Sequence, residues 1–228
     1  MRRLVIKNEK TIRRKIYEHL REQLLNGEIP PSQHLIEAKI AKDLGTSRTP
    51  VREAFHSLEL EGLIESIPRV GYVVKSTSEQ EVEEICEIRM AIEGVAARWA
   101  MEKAHKKLIE ELGKNISISD GKVSKGDAKA FIDLDARFHE TIARYSGSQR
   151  LLELAQTLRR HMLRYRIQSI YSVENVLRAI EGHKGILRAI EKRDLEEVNQ
   201  AIRHHMEQSK SDILRYAFKE TPKPKLQK

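Results

Sequence analysis

The chain has 228 residues, a third of them charged and only 5% aromatic, a composition that suits one large or two modest helix-rich domains and excludes a β-sandwich or a wholly disordered chain. Its formal charge of +8 is unevenly spread: residues 1–78 carry +4, residues 79–220 only +1, and the closing TPKPKLQK +3. The basic N-terminal third is therefore the candidate for a polyanion partner, and the last residues, 219–228, read as a disordered tail.

No apolar run approaches the ~20 residues that span a bilayer, and MRRLVIKNEK lacks the apolar segment of a secretory signal, so a cytoplasmic location is expected. Cys86 is the single cysteine. It excludes an intrachain disulfide, in keeping with a reducing compartment.

From residue 10, Ile12, Ile16, Leu20 and Leu24 recur at i+4 steps and the run stops at Gly27, which predicts an amphipathic helix with one core-facing stripe. After Pro30-Pro31, LIEAKIAKDLG predicts a second, short helix ending at Gly45. A third opens within TSRTPVREAFHSL. There Ser47 or Thr49 can cap the N-terminus, Pro50 sits in the first turn, and Val51, Ala54, Phe55 and Leu58 form the buried stripe. Two alternating runs around Pro68-Arg69-Val70-Gly71 then predict a β-hairpin.

Beyond KSTSEQEVEE the pattern changes. Ser78 and Glu81 have capping-box spacing at the head of a long helix expected to reach about Ala104. Roughly six helices follow from the periodicity, with interruptions at ISISDGKVSKGD, at Gly147, near Ser172 and at Arg193-Asp194. The fold class is thus mostly α, an N-terminal helix-turn-helix with a hairpin followed by an all-α antiparallel bundle. The expected division is a helix-turn-helix domain at 1–75, a linker at 76–80, and an all-helical domain at 81–218.

The second helix of a helix-turn-helix enters the major groove by its N-terminal turns. Arg48 and Arg52 stand there, Arg52 lies off the apolar stripe, and arginine matches guanine O6/N7 or phosphate oxygens. Ser47 and Thr49 add short-range phosphate donors, and Arg69 at the hairpin tip is placed for a neighbouring minor groove. Solvated surface arginines are the alternative, which the three-helix-plus-hairpin order argues against.

The run GEIPPSQHLIEAKIAKDLGTSRTPVREAFHSLELEGLIESIPRVGYVV resembles the winged helix-turn-helix of GntR-family bacterial transcription regulators, in its SRTPVREA core, its EGLI step and its P-x-x-G wing. The resemblance implies that Arg48 and Arg52 contact double-stranded operator DNA, with Ser47, Thr49, Arg69 and the wing around Gly71 in support. It also implies a homodimer on a palindromic site.

In LDARFHETIARYSG, Asp135 and His139 stand i, i+4 on one helix face, and His183 and His205 lie on separate expected helices. A bundle can bring such side chains to one interior point. One carboxylate with three imidazoles suits Zn, Ni, Mn or Fe better than Ca or Mg. By themselves the residues favour surface or satisfied core histidines over a metal site. Residues 78–218, however, resemble the FadR C-terminal (FCD) effector domain, whose metal-binding members carry this ligand set; the resemblance implies a divalent transition metal, Zn or Ni first, on Asp135, His139, His183 and His205. His205 is preferred to its neighbour His204 because the apolar Met206 follows it.

Four protein ligands leave octahedral positions for a small organic acid. Arg89 and Glu93, i, i+4 on the first helix of this domain, are the candidate effector residues if their face lines the cavity, Arg89 gripping a carboxylate; an exposed salt-bridge pair is the alternative, and Arg160 and Arg164 are further candidates. The implied function is a DNA-binding transcription regulator responsive to metal and effector, not an enzyme. A metal-dependent hydrolase or oxygenase with an accessory DNA-binding domain is the rival reading, but no H-E-x-x-H, nucleophile elbow or phosphate-cradling loop is present.

Overall fold

The computed structural model describes residues 11–218 apart from Asn26, Thr77 and Tyr171, and within the helices the side chains of residues 164, 166–170 and 217 also lie outside the description. The expected tail at 219–228 falls outside the described residues. The chain divides into two compact units, residues 1–76 and 77–228.

In the first unit α1 (Ile12–Leu25), α2 (Glu37–Asp43) and α3 (Arg48–Leu60) are joined by a small sheet of β1 (His34–Leu35), β2 (Ile64–Ile67) and β3 (Gly71–Val74). The sheet is antiparallel in the order β1-β3-β2, with Leu35 opposite Tyr72 and Ile64 opposite Val74. Val51, Ala54, Phe55 and Leu58 of α3 are fully buried against Ile16 and Leu20 of α1 and Leu35, Ile64 and Val74 of the strands. Burying Phe55 and Leu58 contributes roughly 2–3 kcal/mol each, enough to fix the face α3 turns outward.

Three expectations change here. Leu35 belongs to a strand rather than to the second helix, because pairing with β3 satisfies its backbone and buries its side chain. Ile12 is exposed, so the stripe of α1 begins at Ile16. Ser47 occupies the N-cap of α3 but its side chain makes no capping hydrogen bond. At the wing, Gly71 adopts φ +121°, and a Cβ there would stand 3.2 Å from the Leu35 carbonyl oxygen. The tight β1–β3 approach therefore requires glycine.

The second unit consists of α4 (Glu79–Ser124), α5 (Phe131–Tyr145), α6 (Gln149–Ile170), α7 (Val173–Lys192) and α8 (Leu195–Ala217), with one 3-10 turn ahead of α5. Ser78 caps α4 by accepting from the Glu81 amide, as the capping-box spacing requires. Helix α4 starts at Glu79, inside the stretch read as linker, and it kinks at Ala104, where its first segment was expected to end. That residue leaves helical geometry at φ −148°, ψ 31°, and helix resumes to Ser124. The break expected within ISISDGKVSKGD falls at the end of that stretch, at Lys125–Asp127, because Ile116 and Ser119 are buried in the helix before it, Ser119 donating to the Asn115 carbonyl.

One apolar core, including Ala97, Leu108, Phe138, Ile180, Ile186 and Ile202, fills the space between α4, α5, α7 and α8. Among the described residues no helix is long and apolar enough to cross a membrane.

Candidate metal centre and nucleic-acid interface

Four polar side chains of the second unit occupy positions where apolar residues are expected. On α5 the buried stripe runs Phe131, Leu134, Asp135, Phe138, His139, Ile142; on α7 it includes Val176, Ile180, His183 and Ile186. On α8 Val198, Ile202 and His205 share one face. The helical repeat that builds the core thus also carries these four groups inward. Their ligand atoms all lie within 4.8 Å of one another, and all four residues are buried. His204 is exposed.

His183 Nε2 stands 3.4 Å and His139 Nε2 3.9 Å from Asp135 Oδ1, and His205 Nε2 stands 3.3 Å from His139 Nε2. Donor atoms each about 2.1 Å from one ion, at a near-tetrahedral angle, would stand roughly 3.4 Å apart. The separations therefore suit a first-row divalent ion, and imidazole donors select against Ca and Mg. Phe138 stacks on His183 with ring centroids 3.8 Å apart and planes 4° from parallel, which fixes that imidazole. Gly182 makes room for His205: a Cβ there would lie 2.4 Å from His205 Nδ1.

Arg89 and Glu93 on α4 are not a surface pair. Both are buried, with Arg89 Nε and Nη2 donating to Glu93 Oε1 at 3.0 and 2.9 Å. The second carboxylate oxygen, Oε2, accepts from His139 Nδ1 at 2.6 Å. Burial alone would raise the Glu93 carboxyl, but His139 and Arg89 beside it outweigh that and hold it at about 2. An ionised Glu93 keeps the proton on Nδ1 and leaves Nε2 of His139 as the lone-pair donor, the usual carboxylate–histidine support of a metal ligand. Burial also opposes the charge on Arg89, yet Glu93 and then Asp135 more than restore it. With neutral imidazoles, Arg89, Glu93 and Asp135 together leave one net negative charge, which a cation would compensate.

The sequence placed Glu93 with the effector and did not foresee its contact with His139. A signal existed, since Glu93 and Arg89 fall on the same stripe as Val82, Cys86, Ala96 and Ala100. Of the other effector candidates, Arg160 donates to Thr157 Oγ1 at 2.8 Å, and the side chain of Arg164 lies outside the described residues. A groove of about 590 Å³ between α7 and α8 has His205, Gly182, Leu177 and Arg188 on its walls. A larger one of about 800 Å³ between α4 and α8, lined by Arg98, Asn199 and Arg203, contains none of the four ligand residues.

In the first unit Ser47, Arg48, Thr49, Arg52 and Arg69 are all exposed, and Gly71 is half-buried in the wing. The structure joins Arg48 and Arg52 through an acid that sequence reading passed over. Glu37, the first residue of α2, accepts from Arg52 Nε at 3.0 Å on Oε1 and from Arg52 Nη2 at 2.9 Å on Oε2. Arg48 Nη2 lies 3.5 Å from that same Oε2. The hydrogen bond from Arg52 lowers the Glu37 carboxyl.

A winged helix-turn-helix unit followed by a helical bundle with a buried carboxylate–imidazole cluster has the build of a transcription regulator. Residues 12–74 match the family of bacterial regulatory proteins named gntR, and residues 84–208 match the FCD domain. The chain belongs to the GntR family and carries an FCD effector domain.

Relatives agree on the class. The "Probable D-xylose utilization operon transcriptional repressor" of Paenarthrobacter nicotinovorans is 32% identical over 86% of this chain and 86% of its own. The HTH-type transcriptional repressor RspR of Escherichia coli K12 is 27% identical over 89% of each chain. Among solved structures, E. coli McbR/YncC superposes with a TM-score of 0.71 at 24% identity, covering 91% of this chain and 99% of that one, a likeness of fold. These families and relatives are transcriptional regulators, not enzymes, which removes the hydrolase or oxygenase alternative.

Proposed function

We propose that this regulator's hold on operator DNA is set by a divalent transition metal, zinc or nickel, together with a small organic acid in the C-terminal bundle. The observation that carries this reading is the buried convergence of Asp135, His139, His183 and His205 with Glu93 on the far nitrogen of His139. When bound, the metal supplies a Lewis-acid anchor for an effector carboxylate. The residues of the chain do the rest. Glu93 orients His139, Phe138 holds His183, and Arg89, buried beside Asp135, is the cation for the acid. The α7–α8 groove, with His205 in its wall, is the route of approach.

The reading head occupies residues 1–75, the linker expected at 76–80 is cut short by the start of α4 at Glu79, and the effector and dimerisation domain runs from there to residue 218. Arg48 and Arg52 contact operator bases and phosphates, Ser47 and Thr49 contact phosphate, and Arg69 with the Gly71 wing reaches the minor groove. The protein acts as a cytoplasmic homodimer on a two-fold site. Ligand occupancy in the bundle biases the spacing of the two heads.

The test is elemental analysis of purified protein, then thermal melting with and without chelator and across a panel of organic acids. A bound metal whose removal lowers the melting temperature, and an acid that raises it only in the metal-loaded protein, are the expected results. Identical melting in chelated and metal-replete protein would sink the metal reading. Sedimentation equilibrium showing a monomer at working concentration would sink the dimer.

A further inference from the structure

We propose that Glu37 is a positioning residue for DNA reading: it grips Arg52 by the side edge of the guanidinium so that the end edge is presented to a guanine. The proposal rests on the reading that Arg52 contacts a base.

The geometry gives the two edges different tasks. Nε and Nη2 of Arg52 form a parallel fork with the two oxygens of Glu37, at 3.0 and 2.9 Å, which uses the side edge. Both Nη1 hydrogens and the outer Nη2 hydrogen are outside that fork, and this end edge offers the two parallel donors that match guanine O6 and N7. The Glu37 side chain is only 15% exposed against 61% for Arg52. The acid is therefore seated on the protein while the guanidinium stands out from it. A flexible arginine would satisfy itself on the nearest phosphate of any sequence; one tied at two points cannot swing there without breaking the fork.

Charge sharpens the argument. Glu37 also faces Arg48 through Oε2, so one carboxylate offsets one of two adjacent cations at the start of α3. Non-specific attraction to phosphate grows with net positive charge. The acid accordingly weakens sequence-independent binding at the same time as it sets the pose of the base reader. A residue with a merely structural role would weaken both kinds of binding when removed.

The experiment is selection from a pool of duplexes with a randomised centre, using the full chain as wild type, Glu37→Gln, Glu37→Asp, Arg52→Ala and the double variant Glu37→Gln/Arg52→Ala. Binding to the unselected pool is measured across a salt series, and thermal melting checks that each variant folds. Arg52→Ala is expected to abolish preference at one guanine per half-site. Glu37→Gln should lower preference at that same guanine on the order of tenfold, bind the unselected pool more tightly with a steeper salt slope, and cause no further loss of preference at that guanine when added to Arg52→Ala in the double variant.

Should Glu37→Gln fail to fold, Glu37→Asp decides. It keeps the charge but withdraws the carboxylate by one methylene, so it should lose the guanine preference with unselected binding unchanged. Intact preference in Arg52→Ala overturns the base-contact reading, and the clamp with it. Loss in Arg52→Ala with intact preference in the folded Glu37 variant overturns the clamp alone. Loss at a different base pair would mean that Glu37 reads DNA directly, which also overturns it.

Discussion

Arg48 and Arg52 in the N-terminal unit have side chains 63% and 61% exposed, whereas Asp135, His139, His183 and His205 in the C-terminal unit are each 4% exposed or less. The contrast follows from what each site must meet. A duplex is larger than the domain proposed to read it, so the two arginines stand exposed on the first turns of α3, close together in sequence. A single ion is enclosed, so its candidate ligands come from α5, α7 and α8, and the charge they carry must be balanced inside the bundle. Arg89 and Glu93 on α4 offset one another, which leaves the charge of Asp135 for a bound cation to compensate. The exposed site can lose a side chain at little cost to folding; the buried one cannot.

Glu93 tests that asymmetry most severely. Glu93→Ala leaves Arg89 buried without its carboxylate and His139 Nδ1 without its acceptor, and should destabilise the metal-free protein by about 3–5 kcal/mol. Urea unfolding in chelator measures it. A loss below about 1 kcal/mol would mean that water or another group takes over, and that the two units do not differ in the way described. Next come the ligand positions. Metal at a hundredfold above its dissociation constant stabilises by about 2.7 kcal/mol, so Asp135→Ala, His139→Ala, His183→Ala and His205→Ala should each erase most of the metal-dependent rise in melting temperature. His204→Ala should keep it. If His204→Ala alone erased the rise, the ligand on α8 would be misassigned.

The same asymmetry explains what could be read from the sequence. SRTPVREA and the wing were legible because helix start, stripe and exposed arginines are local. The four ligand candidates were found through a family resemblance, since His139 and His205 are 66 residues apart and no spacing rule links them. The tie from Glu93 to His139 spans 46 residues and was hidden because an i, i+4 Arg–Glu pair looks the same on the surface as in a core. Glu37 escaped notice for a related reason: its partners lie on the next helix, and only the turn between α2 and α3 brings them together. The strand His34–Leu35 is two residues long and exists only because β3 is there to pair with it.

Gly182 shows how tightly the buried cluster is packed. A methyl group at this position would stand 2.4 Å from His205 Nδ1 and 3.1 Å from its Cγ, so Gly182→Ala must displace that imidazole. Helix propensity gains up to about 1 kcal/mol from the change, and overpacking costs 1–3 kcal/mol. The metal-free stability should therefore move little, while metal affinity falls roughly tenfold, as for other disturbed supports of a ligand. Isothermal titration with zinc reads the second quantity and chelated melting the first. Unchanged affinity would show that His205 has slack, and that the centre is less tightly built than its burial implies.

The smallest effect lies in the N-terminal unit and concerns alkali. The Tyr17 hydroxyl donates to Glu61, and Arg21 Nε donates to the same carboxylate at 2.9 Å, tying α1 to the end of α3. Burial first, and then the hydrogen bond and charge of Glu61, push the Tyr17 phenol up to about 12 from an ordinary value near 10. A phenol whose folded value is raised favours the folded state in its protonated form. Its contribution is complete below pH ~10 and is lost as pH climbs through about 12. Tyr17→Phe removes the donor, and after allowance for the half-exposed setting should cost roughly 1 kcal/mol at neutral pH and nothing at the alkaline end. Scanning calorimetry from pH 8 to pH 12, roughly the range over which an ordinary and a raised phenol titrate, should show wild type and variant converging as pH rises. The chelator-sensitive transition should not respond to the substitution. If that transition moved with Tyr17→Phe, the two units would not be stabilised by separate cores, and the division between outward-facing arginines and an inward-facing cluster would have to be redrawn.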